Sequence, residues 1–161
     1  MDISDKELHR ITSTAIIYRQ DGDDFKYLIT KRSPDKKAFP NKWHVPGGGL
    51  ETDDYTNTPA DQDNQWYRAL ETSLRREVRE EVNLEVEELT YLLDIAFIRP
   101  DGVPVIVLSF YGMYKSGEVE LDEDGVDHAW VTAQEAASYD LIHGILGEIE
   151  MVDKILKKKE N

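Results

Sequence analysis

One apolar stripe constrains the fold of this chain more than any other feature. The stripe consists of four aliphatic residues that recur every four positions: Leu70, Leu74, Val78 and Val82. This spacing places side chains on one side of an α-helix, so that one face of the helix is buried and the other is free to carry charge. The pattern therefore predicts an amphipathic helix over residues 70–82.

Segments rich in β-branched and aromatic residues lie on both sides of this helix and are typical of strands. They cover residues 11–18, 25–31, 43–45, 89–98, 103–114 and 129–131. The turn around Asp21-Gly22 joins the first two as a hairpin, and Pro100-Asp101-Gly102 joins the fourth and fifth. Residues 145–158 predict a final amphipathic helix, and Thr132 with Glu135 forms a capping-box pattern before it. Because the elements lack regular βαβ spacing, the sequence predicts an α+β fold in which helices flank a mixed sheet, an α/β/α sandwich.

Composition narrows the class of protein. The chain has 161 residues, no cysteine and a formal net charge of −14. We expect one domain over residues 1–161, no disulfides and no thiolate metal site. The sequence has no apolar run of about 20 residues, so we expect no membrane span, and its polar start fits a cytoplasmic protein. This negative net charge argues against stable nucleic-acid binding. It also suggests that a polyanionic substrate would need a cation between itself and the protein.

Three glutamates border the apolar stripe. Glu77, Glu80 and Glu81 stand at i, i+3 and i+4, so a helix places them on one face, where their charges repel each other. Mg²⁺ or Mn²⁺ would relieve this repulsion, because both prefer carboxylate oxygen. Upstream, Gly47-Gly48-Gly49 follows a strand, and a backbone without side chains lets a phosphate or metal approach closely. Each feature alone is more often a solvated helix face or a plain turn.

Together the two features resemble the box of the Nudix (MutT-like) hydrolase family. That pattern is Gly, five residues, Glu, seven residues, Arg-Glu, an aliphatic residue, any residue, Glu-Glu, any residue, Gly and an aliphatic residue. Pro46-Gly47-Gly48-Gly49-Leu50-Glu51 resembles its opening, and residues 76–84, Arg-Glu-Val-Arg-Glu-Glu-Val-Asn-Leu, resemble its close. Lys31-Arg32, Trp43 and Trp130-Val131 agree with the family context, and the resemblance covers about residues 11–145.

The chain departs from the family pattern at two places. Asn83 stands where the family has glycine, and we expect it to end the helix in a left-handed conformation. The box is also stretched by an insertion at about residues 52–65, so its first glutamate is either replaced by Asp54 or absent. The helix could begin as early as Thr58 or as late as Asp63 or Asn64. We expect residues 55–65 of this insertion to be mobile or loosely ordered without substrate and to influence substrate choice.

The resemblance implies roles for individual residues. The implied metal ligands are Glu77, Glu80, Glu81 and the Gly48 carbonyl. The implied substrate-binding residues are Gly47, Gly48, Gly49 and Glu51. Arg76 would orient the glutamates, with Glu51 as a candidate partner. The general base would come from the acidic loop before Trp130, where Glu123 and Asp124 are the candidates. We expect Arg79 to be a surface residue, and His44 and His128 to be structural or on the surface.

These roles imply a Mg²⁺-dependent enzyme that cleaves a diphosphate linkage by water attack on phosphorus. Its substrate would be a nucleoside diphosphate derivative, or a nucleoside triphosphate cut to the monophosphate and pyrophosphate. One alternative is a catalytically silent Nudix-fold domain that binds a nucleotide or a regulatory partner. An isomerase of the same fold would use a cysteine, which this chain lacks. A non-enzymatic acidic interaction domain is a third alternative. A homodimer also stays open, since such dimers are common in the family.

Overall fold

The computed structural model describes residues 2–161 as one mixed sheet with helices on both faces. The strands are β1 (Arg10–Asp21), β2 (Asp24–Arg32), β3 (Trp43–His44), β4 (Gly47–Gly49), β5 (Glu85–Val86), β6 (Thr90–Ile98), β7 (Pro104–Ser116) and β8 (Gly125–Val131). The helices are α1 (Asp53–Thr56), α2 (Ala69–Val82), α3 (Ala133–Ala136) and α4 (Ile145–Glu160), after a 3₁₀ turn at Asp5–Glu7.

Strand β1 is the centre of the sheet. It pairs with β7 in parallel along most of its length, and on its other side with β4 and β2, both antiparallel. Strand β2 continues the sheet through β3 and β8, and β7 carries β5 and β6. The predicted hairpins β1–β2 and β6–β7 are therefore both present. The parallel β1–β7 pair between them makes the sheet mixed, as expected.

Alternating side chains of β1 divide the core into two layers. Ala15, Ile16 and Ile17 are all fully buried. Ile16 packs with α4 through Ile149, whereas Ala15 and Ile17 pack with α2. Successive strand residues point to opposite faces, so one apolar run supplies both cores. The predicted α/β/α sandwich is confirmed.

Helix α2 is shorter at its start than the sequence suggests. Leu74, Val78 and Val82 are fully buried and face the sheet, as predicted. The helix begins at Ala69, however, and the proposed starts at Thr58, Asp63 and Asn64 were wrong. The residue before it, Arg68, has φ 60°, and this left-handed conformation stops the helix from extending backwards.

The inserted segment forms a folded loop instead of extra helical turns. Its first part is the short helix α1, which the sequence did not predict. The Trp66 indole N–H then donates to the Thr58 carbonyl at 2.9 Å, and the Tyr67 amide donates to Asp61 Oδ2 at 2.9 Å. The Trp66 ring also lies 5.5 Å from the Tyr55 ring, centre to centre. These contacts fold the loop back on itself beside the start of α2. Among residues 2–161, no helix is long and apolar enough to cross a membrane.

Candidate active site

Helix α2 places the glutamates at the edge of strand β4, which consists of Gly47–Gly49. The helix ends at Asn83, which has φ 58° and is left-handed, as expected for the residue that replaces glycine there. The Glu77 side chain is 13% exposed and the Glu80 side chain 57% exposed, so the acidic face runs from the sheet outwards to solvent. Arg79 is largely exposed, as predicted, and its Nη1 lies 3.5 Å from Glu85 Oε1.

The glycines of β4 make room for these carboxylates. A Cβ atom on Gly48 would lie only 2.2 Å from the carboxyl carbon of Glu77, so any larger residue would displace that side chain. Gly47 donates its backbone N–H to Glu81 Oε2 at 3.2 Å. The glycine turn and the acidic helix, which are far apart in the sequence, therefore form one site.

Arg76 organises the outer part of the site. Its guanidinium forms a two-pronged ion pair with Asp54, with Nη2 to Oδ2 at 3.1 Å. Its Nη1 lies 2.9 Å from Glu77 Oε1 and 3.0 Å from Glu80 Oε2. The expected partner Glu51 does not take this place. Glu51 instead donates its backbone N–H to Asp54 Oδ2 at 2.8 Å, which fixes the aspartate.

The carboxylates have different electrostatic environments. The Arg76 guanidinium lowers the pKa of Asp54 to about 2. Burial raises the pKa of Glu81 to about 8, and the charges of Glu77 and Asp122 act in the same direction. Burial also raises the pKa of Glu77, while Arg76 opposes the shift. Glu81 is therefore the carboxylate that most needs a positive partner in order to stay ionised near neutral pH.

A cavity opens beside Glu81, between the end of β2, strand β3 and the loop before β8. The residues that line it are Thr30, Arg32, Lys36, His44, Glu81, Leu121, Asp122, Asp124 and Gly125. Strand β2 supplies Thr30 and Arg32 at its end, and His44 lies opposite Thr30 in the β2–β3 pair. Burial and the charges of Arg32 and Lys36 lower the pKa of His44 to about 4, so its imidazole is neutral at physiological pH. His44 thus lines the cavity, a placement that the sequence did not predict.

The acidic loop before β8 contributes one carboxylate that the sequence did not single out. Asp122 lines the cavity, and its amide donates to the Glu81 carbonyl at 3.3 Å. Of the two predicted candidates, Asp124 lines the cavity but its Oδ2 lies 3.0 Å from Lys36 Nζ. Glu123 is exposed and does not line the cavity. Nothing in the residue spacing distinguishes these acids, because their directions depend on how the loop turns into β8.

The donor chemistry suits a hard divalent cation. Across residues 2–161, no three acidic or histidine side chains converge closely enough to hold a metal as they stand. Arg76 draws Glu77 and Glu80 towards itself, and Glu81 is turned to Gly47. Even so, the buried carboxylate of Glu81 and the glycine backbone around Glu77 supply the oxygen donors that Mg²⁺ prefers. The residues therefore fit the ion, with adjustment of the side chains.

Comparison with known proteins agrees with the geometry. The model of the NUDIX domain family matches residues 8–149. The nucleoside triphosphatase NudI of Escherichia coli K12 is 31% identical over 129 residues, which cover 74% of this chain and 82% of that protein.

Solved structures show the same fold. The NUDIX domain of Shewanella oneidensis NrtR, complexed with ADP ribose, superposes with a TM-score of 0.73 at 16% identity, covering 96% of this chain and 94% of that one. A MutT NUDIX hydrolase from Burkholderia pseudomallei gives a TM-score of 0.69 at 22% identity, covering 91% and 99%. The family model spans most of the residues, and in the site a strand of glycines meets an acidic helix. This chain therefore belongs to the Nudix family and is a MutT-like, Nudix-type pyrophosphohydrolase.

Proposed function

We propose that this enzyme hydrolyses nucleoside triphosphates to the monophosphate and pyrophosphate, in a reaction that depends on Mg²⁺, with Mn²⁺ as a substitute. The observation that carries the proposal is the contact between helix α2 and strand β4. There Glu77 lies against Gly48, and Glu81 accepts from Gly47, beside a cavity with cationic side chains. The nucleoside triphosphatase relatives support the choice of substrate over other diphosphate derivatives.

Glu77, Glu80 and Glu81 would hold the metal, together with the Gly48 carbonyl. A bound divalent cation supplies neutralisation of the phosphate charge and makes water a stronger acid. Arg76 restrains the side chains of Glu77 and Glu80, because its Nη1 contacts both carboxylates. In this role Arg76 is a positioning residue, and Asp54 fixes it from the other side.

Asp122 is the best placed general base. It lines the same cavity as Glu81, and its charge acts on Glu81. It would receive the proton of the attacking water on a carboxylate oxygen. The geometry favours Asp122 over Asp124, whose carboxylate is already engaged by Lys36, and over the exposed Glu123.

The test is a substrate screen with Mg²⁺ that includes nucleoside triphosphates, ADP-ribose and a dinucleoside polyphosphate. We expect nucleoside triphosphates to give monophosphate and pyrophosphate, and activity to stop when EDTA removes the metal. Release of orthophosphate and nucleoside diphosphate would contradict the proposed bond cleavage. Glu80→Gln should lower turnover strongly, whereas Glu71→Gln, on the same helix but paired with Arg75 outside the site, should not.

A further inference from the structure

The cavity beside Glu81 is lined by side chains of both charges. Helix α2 and the acidic loop supply Glu81, Asp122 and Asp124. The end of β2 and the loop that follows it supply Arg32 and Lys36, which form the cationic wall of the cavity. A polyphosphate in this cavity would meet the glutamates at one phosphate and the cationic wall at another. The glutamates can bind phosphate only through a metal, whereas a lysine can bind it directly.

Lys36 is held in place at the cationic wall. Its Nζ lies 3.0 Å from Asp124 Oδ2, and its side chain is 31% exposed. The two loops are also joined at the backbone, because the Ser33 amide donates to the Asp124 carbonyl at 2.8 Å. An ammonium group has three N–H donors, so contact with Asp124 leaves donors for a ligand.

The positive potential of this wall is reflected in the pKa of a neighbouring histidine, His44. Burial lowers the pKa of His44, and the charges of Arg32 and Lys36, which line the same cavity, lower it further. Arg32 is itself fixed, since its Nε donates to the Ala38 carbonyl at 3.0 Å. The neutral imidazole adds no charge of its own, so the cations that an anion meets here are Arg32 and the Lys36 ammonium group, which is already paired with Asp124.

We propose that Lys36 binds the third phosphate of a nucleoside triphosphate and that Asp124 positions Lys36 for this contact. The inference rests on the proposed function and deepens it, because it explains why three phosphates would be preferred over two. In a diphosphate derivative, a neutral sugar would stand where the third phosphate meets the ammonium group. Asp124 is then a positioning residue and not the general base.

The loop offers a matched control pair. Lys42 Nζ lies 2.6 Å from Asp140 Oδ1, and the Trp43 amide donates to the Asp140 carbonyl at 2.9 Å. This repeats the arrangement of Lys36 and Asp124 at the other end of the same loop. Neither Lys42 nor Asp140 lines the cavity. Lys42→Gln therefore removes an equivalent ion pair without touching the proposed site.

The experiment measures binding without turnover, using the α,β-methylene analogues of ATP and ADP with Mg²⁺ in a calorimeter. Lys36→Gln should raise Kd for the triphosphate analogue about tenfold or more, the effect of losing a hydrogen bond to a charged group. The change for the diphosphate analogue should be much smaller. Lys36→Arg should restore most of the affinity, and Lys42→Gln should leave both constants unchanged.

Kinetics separate positioning from catalysis. Asp124→Asn should raise KM for a nucleoside triphosphate several-fold while kcat stays within about twofold. In the Lys36→Gln background, Asp124→Asn should add little, because the residue acts through the lysine. A collapse of kcat in Asp124→Asn would overturn the inference and make Asp124 the base. Equal weakening of both analogues by Lys36→Gln, or failure of the wild type to bind the triphosphate analogue, would also overturn it. If the wild type binds the analogue but cleaves no nucleotide, the proposed function fails while the Kd ratios still decide the role of Lys36.

Discussion

The ion pair between Asp54 and Arg76 should be a measurable source of stability. The Asp54 residue is half-buried, but its side chain is only 2% exposed because it accepts from the Arg76 guanidinium and from the Glu51 amide. Asp54→Asn keeps the shape of the side chain and removes its charge. The substitution leaves Arg76 with the two glutamates alone as anionic partners.

The magnitude follows from the pKa of Asp54. That pKa is about 2 in the folded protein against an ordinary value of 3.8. The difference corresponds to about 2 kcal/mol of folding free energy at neutral pH. Since Glu77 and Glu80 still neutralise part of the Arg76 charge, we expect Asp54→Asn to lower the free energy of unfolding by about 1–2 kcal/mol. For a chain of this size, the loss corresponds to a fall in Tm of roughly 2–8 °C.

Urea unfolding of both proteins at a series of pH values is the assay. A carboxyl group with a lowered folded-state pKa stabilises the protein above its unfolded-state pKa, and the stabilisation is lost as the pH falls through the folded-state value. The gap between wild type and variant should be constant above about pH 5 and shrink below about pH 4 towards pH 2. Asp140→Asn, which breaks the exposed pair with Lys42, should cost less than about 0.5 kcal/mol. Equal stability of wild type and Asp54→Asn at pH 7, or a gap that does not change down to pH 3, would refute the reasoning.

Three further predictions concern the site itself. Glu81→Gln should reduce turnover severely, and an active variant would contradict the metal assignment. The same substitution should raise the free energy of unfolding of the metal-free protein at pH 7. Burial of the ionised Glu81 carboxylate disfavours the fold, and this is the cause of its raised pKa. Gly48→Ala should lower kcat at least tenfold by displacing the Glu77 carboxylate, whereas Gly147→Ala, where a Cβ meets nothing within 4 Å, should keep full activity. Replacing the segment 57–67 with a short linker should leave metal binding intact and change KM unequally among nucleotides; equal KM changes would instead show a loop without influence on substrate choice.

The sequence predicted the layers of the fold because periodic burial is a local property. The alternation around Ile16 and the four-residue stripe ending at Val82 each report which side chains face the core. The start of α2 was not predictable in the same way. It depends on the left-handed conformation of Arg68, and on hydrogen bonds that fold the preceding loop, such as that from Tyr67 to Asp61.

The cavity was harder to foresee than the glutamates. Glu77 and Glu81 are placed by helical spacing, which the sequence displays directly. Lys36, His44 and Asp122 meet only because β2 pairs with β3 on one side and β8 on the other, which brings the loops that precede β3 and β8 together. No spacing rule links residues 36, 44 and 122. The grouping of these three residues around one cavity was therefore visible only in the tertiary structure.

The position of Asp54 explains how the box tolerates an insertion. The extra residues enter after α1, so the chain has already placed Asp54 beside Arg76 before it leaves the site. The Glu51 amide holds the aspartate from behind, and the loop returns at Ala69 to start the helix. Additional length in a surface loop costs little closure entropy. An acidic side chain can therefore reach Arg76 from residue 54, across a longer connection to the helix than the family pattern has.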